Sequence, residues 1–375
     1  MEKSADIAVI GGGIVGLAHA YMASKKGVSV VLFEREAFAI GASVRNFGLL
    51  WPIGQEPGTN LDRALRSRKH WDEIANQSGI WLNPNGSLQL AYYDDELAVL
   101  EEFIELNKNS GYKCKLLNSE EVLTLSGNIN TTNLKSALYS ETEATVNPRE
   151  AVRRIPLWLK EKFKLQLRFG AQVHEVSLPF VKTATETWRV QKAFVCSGAD
   201  FQSLYPQVFN QYQIKKCKLQ MMKAASDNIE MLGPTLSAGL TLRHYHAFSK
   251  CVSLKKVNER YNMNSPEFEK YGIHVLLAQN NFKEYVIGDS HQYAETLEPF
   301  DCEEINQHIL NYLSTFWKSS NIKITERWHG IYPKMKEGNL LIHRPEKGVV
   351  LINGLGGAGM TLSFGLAEEI IQAEL

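Results

Sequence analysis

Three glycines near the N-terminus have the spacing of a nucleotide-binding turn. Gly11, Gly13 and Gly16 form Gly-x-Gly-x-x-Gly between the apolar run 7–10 and a helical pattern that begins at residue 14. Such a turn brings backbone N–H groups to a pyrophosphate. Glu34 ends the next apolar run, where a carboxylate accepts hydrogen bonds from both ribose hydroxyls and repels a 2′-phosphate. The unit predicts an adenine dinucleotide, NAD or FAD, in preference to a plain glycine-rich turn.

A second glycine-rich segment lies near the C-terminus. Gly354, Gly356, Gly357 and Gly359 follow the apolar run 348–352 and precede a helical pattern over 361–373. This order aims a helix N-terminus and several free backbone donors at one point. The segment 197–199 follows the apolar run 193–196, and its small residues would let a ligand approach the backbone. A purely structural turn is the alternative for the C-terminal segment.

Two other local patterns have possible chemical roles. His244 and His246 predict two imidazoles on one face of a strand, but no cysteine or carboxylate cluster accompanies them. We therefore predict no metal site, and we leave substrate-site lining and a structural role open for these histidines. Arg63, Arg66, Arg68 and Lys69 form a basic run, and the acidic residues Asp72 and Glu73 follow on the same predicted helix. This pattern predicts a solvated helical face.

The composition is that of an ordinary globular protein. The 375 residues carry 41 basic and 41 acidic side chains, which argues against a protein built mainly to bind nucleic acid or an anionic membrane. The five cysteines lack metal-site or redox spacing, so we expect reduced thiols in a cytoplasmic protein. We expect no export signal. Glycine clusters in the uncharged stretches 7–24 and 348–367 also argue against a membrane span.

The hydrophobic pattern predicts two interleaved domains in an α/β fold. Residues 1–85, 143–206 and 328–375 contain the strand, helix and glycine-turn patterns of a discontinuous Rossmann-like cofactor domain. Residues 86–142 and 207–327 form the substrate domain. Its half-buried strands, such as 86–91, 274–278 and 285–288, predict a mainly antiparallel sheet. Asn147 is predicted to cap a helix that has Pro148 at its first position.

Several sequence blocks resemble one family of flavoproteins. They are the N-terminal glycine unit and residues 41–48, 196–199, 328–333 and 354–361. Together they resemble the glutathione-reductase-type flavoproteins and, more narrowly, the D-amino-acid oxidase superfamily that includes glycine and sarcosine oxidases. The resemblance covers nearly the whole chain. It implies an FAD-binding domain of the glutathione-reductase type, with a mainly antiparallel β substrate domain over the flavin.

The resemblance also assigns residues to the cofactor. The loop 42–46 would pass the flavin and its ribityl chain, and Val173 would meet the adenine. The C-terminal glycines would face flavin N1 and the C2 carbonyl, where negative charge develops during reduction. The full set of implied cofactor-binding residues is Gly11, Gly13, Gly16, Glu34, Arg35, Ala42, Ser43, Arg45, Asn46, Val173, Ser197, Gly198, Gly330, Gly354, Gly356, Gly357, Gly359, Met360 and Thr361.

Three departures from the family pattern affect the expected chemistry. Sarcosine oxidases join the flavin to a cysteine at or beside the position of Gly330, and no cysteine stands in this segment, so we expect non-covalent FAD. The substrate-binding arginine of glycine oxidases falls at Tyr332, in a segment we take as a turn. The lysine of sarcosine oxidases falls at Thr361. The usual carboxylate clamp is therefore incomplete.

Other side chains must then meet the substrate. The candidates are Arg45, Arg243, His244 and Tyr332, with Lys334 as a weaker choice, and Arg243 and His244 are predicted to lie on a strand. Burying an anion without a partner costs roughly several kcal/mol of free energy. Some cation must therefore pair with an anionic substrate.

The resemblance implies oxidation of a C–N bond in a small amine, with hydride transfer to flavin and hydrolysis of the imine. Residues 41–54 and 287–291 resemble a bacterial subgroup associated with aminophosphonate catabolism, which implies an anionic amine. Oxidation of a 2-hydroxy acid, flavin-dependent tRNA modification and a non-catalytic flavin-binding subunit remain alternatives. The electron acceptor is oxygen or another molecule, and the oligomeric state is left open.

Overall fold

A computed structural model describes residues 3–226, 231–318, 322–338 and 340–375. The strands are β1 Lys3–Ser4, β2 Ile7–Ile10, β3 Val30–Glu34, β4 Leu49–Leu50, β5 Leu82–Asn83, β6 Ser87–Ala91, β7 Cys114–Leu117, β8 Ser136–Ser140, β9 Ala144–Val146, β10 Gln166–Phe169, β11 Val173–Ser177, β12 Phe180–Thr183, β13 Thr187–Arg189, β14 Lys192–Val195, β15 Ile214–Ser226, β16 Thr235–Ala238, β17 Leu276–Gln279, β18 Tyr285–Gly288, β19 Gln292–Ala294, β20 Ile322–Met335, β21 Leu341–His343 and β22 Val349–Asn353.

The helices are α1 Ile14–Lys25, α2 Thr59–Ser78, α3 Asp94–Leu106, α4 Ser119–Leu125, α5 Pro148–Phe163, α6 Pro206–Phe209, α7 Gly239–His244, α8 Leu254–Asn264, α9 Pro266–Lys270, α10 Glu303–Phe316 and α11 Gly359–Glu374. Short 3₁₀ turns cover Ala42–Val44, Pro52–Gly54, His246–Phe248 and Gly356–Ala358. No helix in the described ranges has both the length and the apolar character needed to cross a bilayer.

A six-stranded sheet forms the cofactor side of the molecule, with the order β10-β3-β2-β14-β22-β21. The first five strands are parallel and β21 is antiparallel to β22. Parallel neighbours need crossover connections, which explains why the sheet draws on three separated parts of the chain. The predicted strand, helix and strand at the N-terminus are confirmed as β2, α1 and β3.

A nine-stranded, mainly antiparallel sheet forms the second layer. Strands β18 and β19 pair with successive parts of β15 on one side, and β20 pairs with β15 along its full length. The α/β fold class with a mainly antiparallel second sheet is therefore confirmed. The predicted domain boundary between residues 327 and 328 lies inside β20, which continues in the nine-stranded sheet beyond this boundary.

Two expectations for the second sheet are wrong. The alternation over 86–91 predicted one exposed face, but every residue of β6 is buried, as are those of β17 and β18. Packing on both faces of the sheet explains this burial, and polar side chains inside it bond to each other, as Ser237 Oγ donates to Gln89 Oε1. The expected turn containing Tyr332 is also wrong, because Tyr332 pairs with Cys217 in the middle of the β15–β20 ladder.

The helices show one confirmed cap and two corrections. Asn147 Oδ1 accepts hydrogen bonds from the N–H groups of Arg149 and Glu150, with Pro148 at the first position of α5. The predicted strand at 243–246 is wrong, since α7 and a 3₁₀ turn occupy these positions. The solvated face predicted for the basic run of α2 is wrong at Arg63, which is 9% exposed and paired with the α11 carboxylate of Glu369.

Candidate functional site

One cavity of about 1020 Å³ runs from the carboxyl ends of β2 and β3 to the face of the nine-stranded sheet. Ligands in parallel α/β sheets bind outside the carboxyl ends of the strands, so this is the expected place for the dinucleotide. The predicted site residues that line the cavity are Gly11, Gly13, Glu34, Arg35, Ala42, Ser43, Arg45, Asn46, Val173, Ser197, Gly198, Arg243, His244, Gly330, Tyr332, Gly354, Gly356, Gly357, Gly359, Met360 and Thr361.

Gly16 is the one predicted site residue that does not line the cavity. A Cβ at Gly16 would overlap the Gly11 carbonyl oxygen, and a Cβ at Gly11 would overlap the Cys196 carbonyl oxygen. Gly11 also has φ +108°, a conformation that favours glycine. The two glycines therefore allow α1 to begin close against β2 and β14, and Gly16 acts through packing rather than through contact with a ligand.

The first turn of α1 is held by side chains from neighbouring segments. Glu34 Oε2 accepts a hydrogen bond from Gly12 N–H at 2.8 Å, and Oε1 accepts one from Glu36 N–H at 3.0 Å. Ser43 Oγ accepts a hydrogen bond from Ile14 N–H at 2.9 Å. These bonds orient Glu34 at the end of β3 while leaving each of its oxygens capacity for a ribose hydroxyl.

The loop over 42–46 is shaped by one asparagine. Asn46 Nδ2 donates to the carbonyls of Ala42 and Ser43, both at 3.0 Å, and its Oδ1 accepts from Gly48 N–H at 2.7 Å. Asn46 thus uses its amide to hold the loop that carries Ser43 and Arg45.

At the other end of the cavity, Arg35 is paired with Asp200 at 2.9 Å.

The C-terminal glycine turn presents backbone to the cavity. Gly354 and Gly356 have φ of +77° and +58°, and Asn353 Oδ1 accepts a hydrogen bond from Gly354 N–H at 2.7 Å. The N-cap of α11 is Ala358, whose side chain has no acceptor for the first N–H groups of the helix. This helix N-terminus therefore offers donors and a positive dipole end to an electron-rich group.

These features fit a flavin dinucleotide. Ser197 Oγ is buried at the cavity wall and has no hydrogen-bond partner among the described residues, so it is available to a ligand. A Cβ built on Gly357 would lie 3.7 Å from Tyr332 Oη. This glycine is therefore beside the substrate end of the cavity. The two glycine turns, Glu34 and Ser197 thus lie along one channel that is long enough to connect a nucleotide end to a substrate end.

The substrate end of the cavity is formed by β20 and the segments around β17 and β18. Tyr332 and Lys334 belong to β20 and line the cavity. The backbone of Lys334 forms an isolated antiparallel β-bridge with Leu355 in the C-terminal turn. Burial lowers the pKa of Lys334 and raises the pKa of Tyr332 well above its ordinary value. Tyr332 therefore stays a neutral hydroxyl, and Lys334 releases its proton more readily than an exposed lysine.

Three histidines meet at this end of the cavity. One nitrogen from each of His244, His274 and His291 lies within 4.8 Å of the others, a spacing from which a metal ion could be held. His274 Nε2 lies 3.1 Å from Asp289 Oδ1, and His291 Nδ1 lies 2.9 Å from the Gly272 carbonyl oxygen. The pattern at 244 and 246 did not predict this cluster, since His246 is not part of it.

The predicted anion-binding arginines have other partners. Arg243 Nη2 pairs with Glu269 at 2.8 Å and also donates to Asn262, while Nε donates to Asn258. Arg45 Nη1 donates to the His329 carbonyl oxygen at 3.2 Å. Both line the cavity, but the Arg243 charge is already compensated by a carboxylate.

Sequence reasoning missed His274, Asp289 and Tyr293 as cavity residues. His291 and Asp289 lie in the block 287–291 that resembles a family motif, and this was the available signal. His274 carried no local signal, because its place beside His244 depends on the tertiary contact between α7 and the segment before β17, where Thr241 Oγ1 lies 3.5 Å from the Val275 carbonyl oxygen.

Comparison with protein families identifies the chain. The model of the FAD dependent oxidoreductase family matches residues 6–373. The chain belongs to this family. It is an FAD-dependent oxidoreductase, and FAD supplies a hydride acceptor when it is bound in this cavity.

Two solved structures are similar to this chain in fold. Glycine oxidase from Bacillus cereus ATCC 14579 has a TM-score of 0.79 at 16% identity, covering 99% of this chain and 96% of that one. L-proline dehydrogenase from P. horikoshii has a TM-score of 0.79 at 19% identity, covering 99% of this chain and 93% of that one.

Curated relatives match only part of the chain. Glycerol 3-phosphate dehydrogenase from Caloramator mitchellensis is 31% identical over 150 residues, which cover 39% of this chain and 31% of that protein. D-amino-acid oxidase from Streptomyces coelicolor is 35% identical over 79 residues, covering 21% of this chain and 25% of that protein. The matches thus span about a third or less of the relatives' own length.

Proposed function

We propose that this FAD-dependent oxidoreductase oxidises the C–N bond of a small amine that carries an anionic group, an aminophosphonate being the favoured class. The observation that carries this proposal is the position of the cationic and basic side chains. His244, His291 and Lys334 gather at the substrate end, next to the glycine turn that we expect to face the flavin. The resemblance of residues 41–54 and 287–291 to an aminophosphonate-associated subgroup supports the finer choice.

The residues at this end suit an amine that binds without its proton. A cavity lined by basic nitrogens and tyrosine hydroxyls stabilises an ammonium ion poorly, so it favours the neutral amine whose neighbouring C–H bond donates a hydride. The Gly356–Gly357 turn and the N-terminus of α11 stabilise the negative charge that develops on the cofactor edge. Water then hydrolyses the imine product, and the protein contributes orientation and exclusion of solvent.

Anaerobic reduction of the FAD-loaded protein by a panel of substrates tests this proposal. We expect bleaching of the flavin band by small aminophosphonates, with slower bleaching by matched amines that lack the anion. A panel in which no amine reduces the flavin would contradict the proposal.

Oxidation of an alcohol is the second candidate. Glycerol-3-phosphate dehydrogenases are among the curated relatives, and their named substrate also carries an anionic group. The panel therefore includes glycerol 3-phosphate and 2-hydroxy acids. Faster bleaching by these compounds than by every amine would favour this candidate.

A further inference from the structure

The three cavity histidines come from three separate parts of the chain and pack as a cluster. His244 ends α7, His274 precedes β17 and His291 follows β18. The ring centroids of His244 and His274 are 3.8 Å apart, and those of His244 and His291 are 4.6 Å apart. His244 is exposed to the cavity, whereas His274 and His291 are 3% and 7% exposed. The cluster thus presents its His244 edge to a bound molecule.

The hydrogen bonds leave an unprotonated nitrogen inside the cluster. The Gly272 carbonyl can only accept, so His291 carries its proton on Nδ1 and has a bare Nε2 when the ring is neutral. His274 Nε2 faces the carboxyl group of Asp289, and His274 Nδ1 is buried without a partner in the described part of the chain. A buried polar nitrogen without a partner is costly, and a bound ligand that forms a hydrogen bond with it would relieve this cost.

The surroundings favour neutral imidazoles while the cavity contains no anion. Desolvation lowers the pKa of all three rings, to about 4 for His291, because His274 and His291 are buried and the cavity walls enclose His244; mutual repulsion adds to this for His244 and His274. Lys334 lowers the pKa of His244 and His291 further.

The other titratable groups around the cluster are mostly neutral. Burial raises the pKa of Asp289 well above its ordinary value. Burial also raises the pKa of the hydroxyls of Tyr245, Tyr293 and Tyr332 and of the Cys217 thiol, and His246 lies next to His244. The cluster therefore has little negative charge of its own and has capacity for an anion and for one more proton.

We propose that His244, His274, His291 and Lys334 bind the oxyanion of the substrate, a phosphonate in preference to a carboxylate, and that the cluster takes up a proton from solvent when the anion binds. This proposal rests on the proposed function, of which it names the anion site. The anion supplies the negative charge that makes an imidazolium favourable in a buried place. The added proton in turn creates an N–H donor for an oxygen of the anion, and a phosphonate with three oxygens can meet donors from several directions.

Methylphosphonate is the probe, because it carries the anion but no oxidisable amine. Titration calorimetry of the FAD-loaded protein in two buffers with different ionisation enthalpies measures binding and proton uptake together. At pH 7.5 we expect uptake of about one proton per bound anion, and affinity that rises by up to about tenfold for each unit of decreasing pH. Acetate should bind at least tenfold more weakly than methylphosphonate.

Two variants and a matched control locate the site. His244→Gln and His291→Gln should each weaken methylphosphonate binding at least tenfold and reduce the proton uptake, with the flavin spectrum of the parent. His174→Gln is the control, since His174 is exposed on β11, and it should bind as the parent does. Parent-like binding in both cluster variants, or binding without proton uptake, would overturn the proposal.

A chelator arm tests the metal alternative. Methylphosphonate binding that disappears with EDTA and returns with Zn²⁺ would assign the three imidazoles to a metal ion and overturn the proton-coupled site. Since the probe contains no amine, none of these results depends on amine oxidation. Failure of the amine panel with intact methylphosphonate binding would contradict the proposed reaction alone.

Discussion

Thr361 Oγ1 accepts a hydrogen bond from the backbone N–H of Trp51 at 2.9 Å. This bond joins the first turn of α11 to the segment after β4, and both residues are buried. The hydroxyl also lies 3.5 Å from the Leu49 carbonyl oxygen, so its donor and acceptor capacity are engaged within the protein. The position at which the family resemblance would place a lysine therefore supports the fold here, and the anion of the proposed substrate needs other groups to bind it.

Replacement of Glu34 by alanine should weaken FAD binding. The carboxylate orients the first turn of α1 through Gly12 N–H and is expected to bind the ribose hydroxyls, and each charged hydrogen bond contributes about 1.5 to 3 kcal/mol. Fluorescence titration of the apoprotein measures the change. Glu175→Ala is the control, because Glu175 forms a surface ion pair with Lys182 and does not line the cavity in the described part of the chain. Equal FAD affinity in the two variants would exclude Glu34 from the site.

A valine at Gly357 should slow flavin reduction by about tenfold or more, because its side chain would enter the space where backbone donors approach the flavin edge. A Cβ there makes only ordinary contacts with Tyr332, so the protein itself accommodates it. The midpoint potential should also become more negative. Gly127→Val is the control, since Gly127 is exposed with open space around its Cα. Reduction at the parent rate would place the flavin elsewhere.

FAD should leave the protein completely on acid precipitation. Of the five free cysteines, Cys196 lines the cavity, and burial raises its pKa, which keeps it as an unreactive thiol. The absorbance of supernatant and pellet after trichloroacetic acid treatment measures the partition. Yellow colour retained in the washed pellet would demonstrate a covalent bond.

Arg45→Met and Arg243→Met should affect anionic and uncharged amines differently. Arg243 is neutralised by Glu269, so its loss should alter KM for the two classes by similar factors. In the described part of the chain, the Arg45 side chain donates to a backbone carbonyl and to no carboxylate, and it lines the cavity, so its loss should raise KM more for the aminophosphonate. Steady-state kinetics with an aminophosphonate and its uncharged analogue make the comparison. Equal losses in Arg45→Met would remove that residue from anion binding.

His19 should make the folded protein less stable in mild acid. Burial lowers its pKa from 6.5 to about 4, so between these values the unfolded chain binds a proton that the folded protein does not. The free energy of unfolding is unaffected by His19 above about pH 6.5 and falls as pH drops towards 4. In His19→Gln this slope should decrease by up to about 1.4 kcal/mol per pH unit. Urea unfolding at fixed excess FAD measures the slope, and parallel curves for the two proteins would refute the assignment.

Short-range patterns predicted the cofactor half of the molecule well. The glycine spacing at 11–16, the position of Glu34 and the cap at Asn147 each depend on neighbours within about one element, so the sequence expresses them directly. The same holds for the C-terminal turn, where strand, glycines and helix follow in order. The glycine motif predicts that Gly16 binds the ligand, whereas in the structure it allows close packing. The sequence does not separate these two roles, because both demand glycine.

The substrate end depends on contacts between distant parts of the chain. Tyr332 lies in a strand because β20 pairs with β15 more than a hundred residues earlier, and this ladder overrides the local turn signal. His244, His274 and His291 form a cluster because the fold brings together the end of α7, the segment before β17 and the segment after β18. Local periodicity describes one element at a time, whereas the pKa and partner of each histidine arise from burial and from neighbours that only the folded chain brings together.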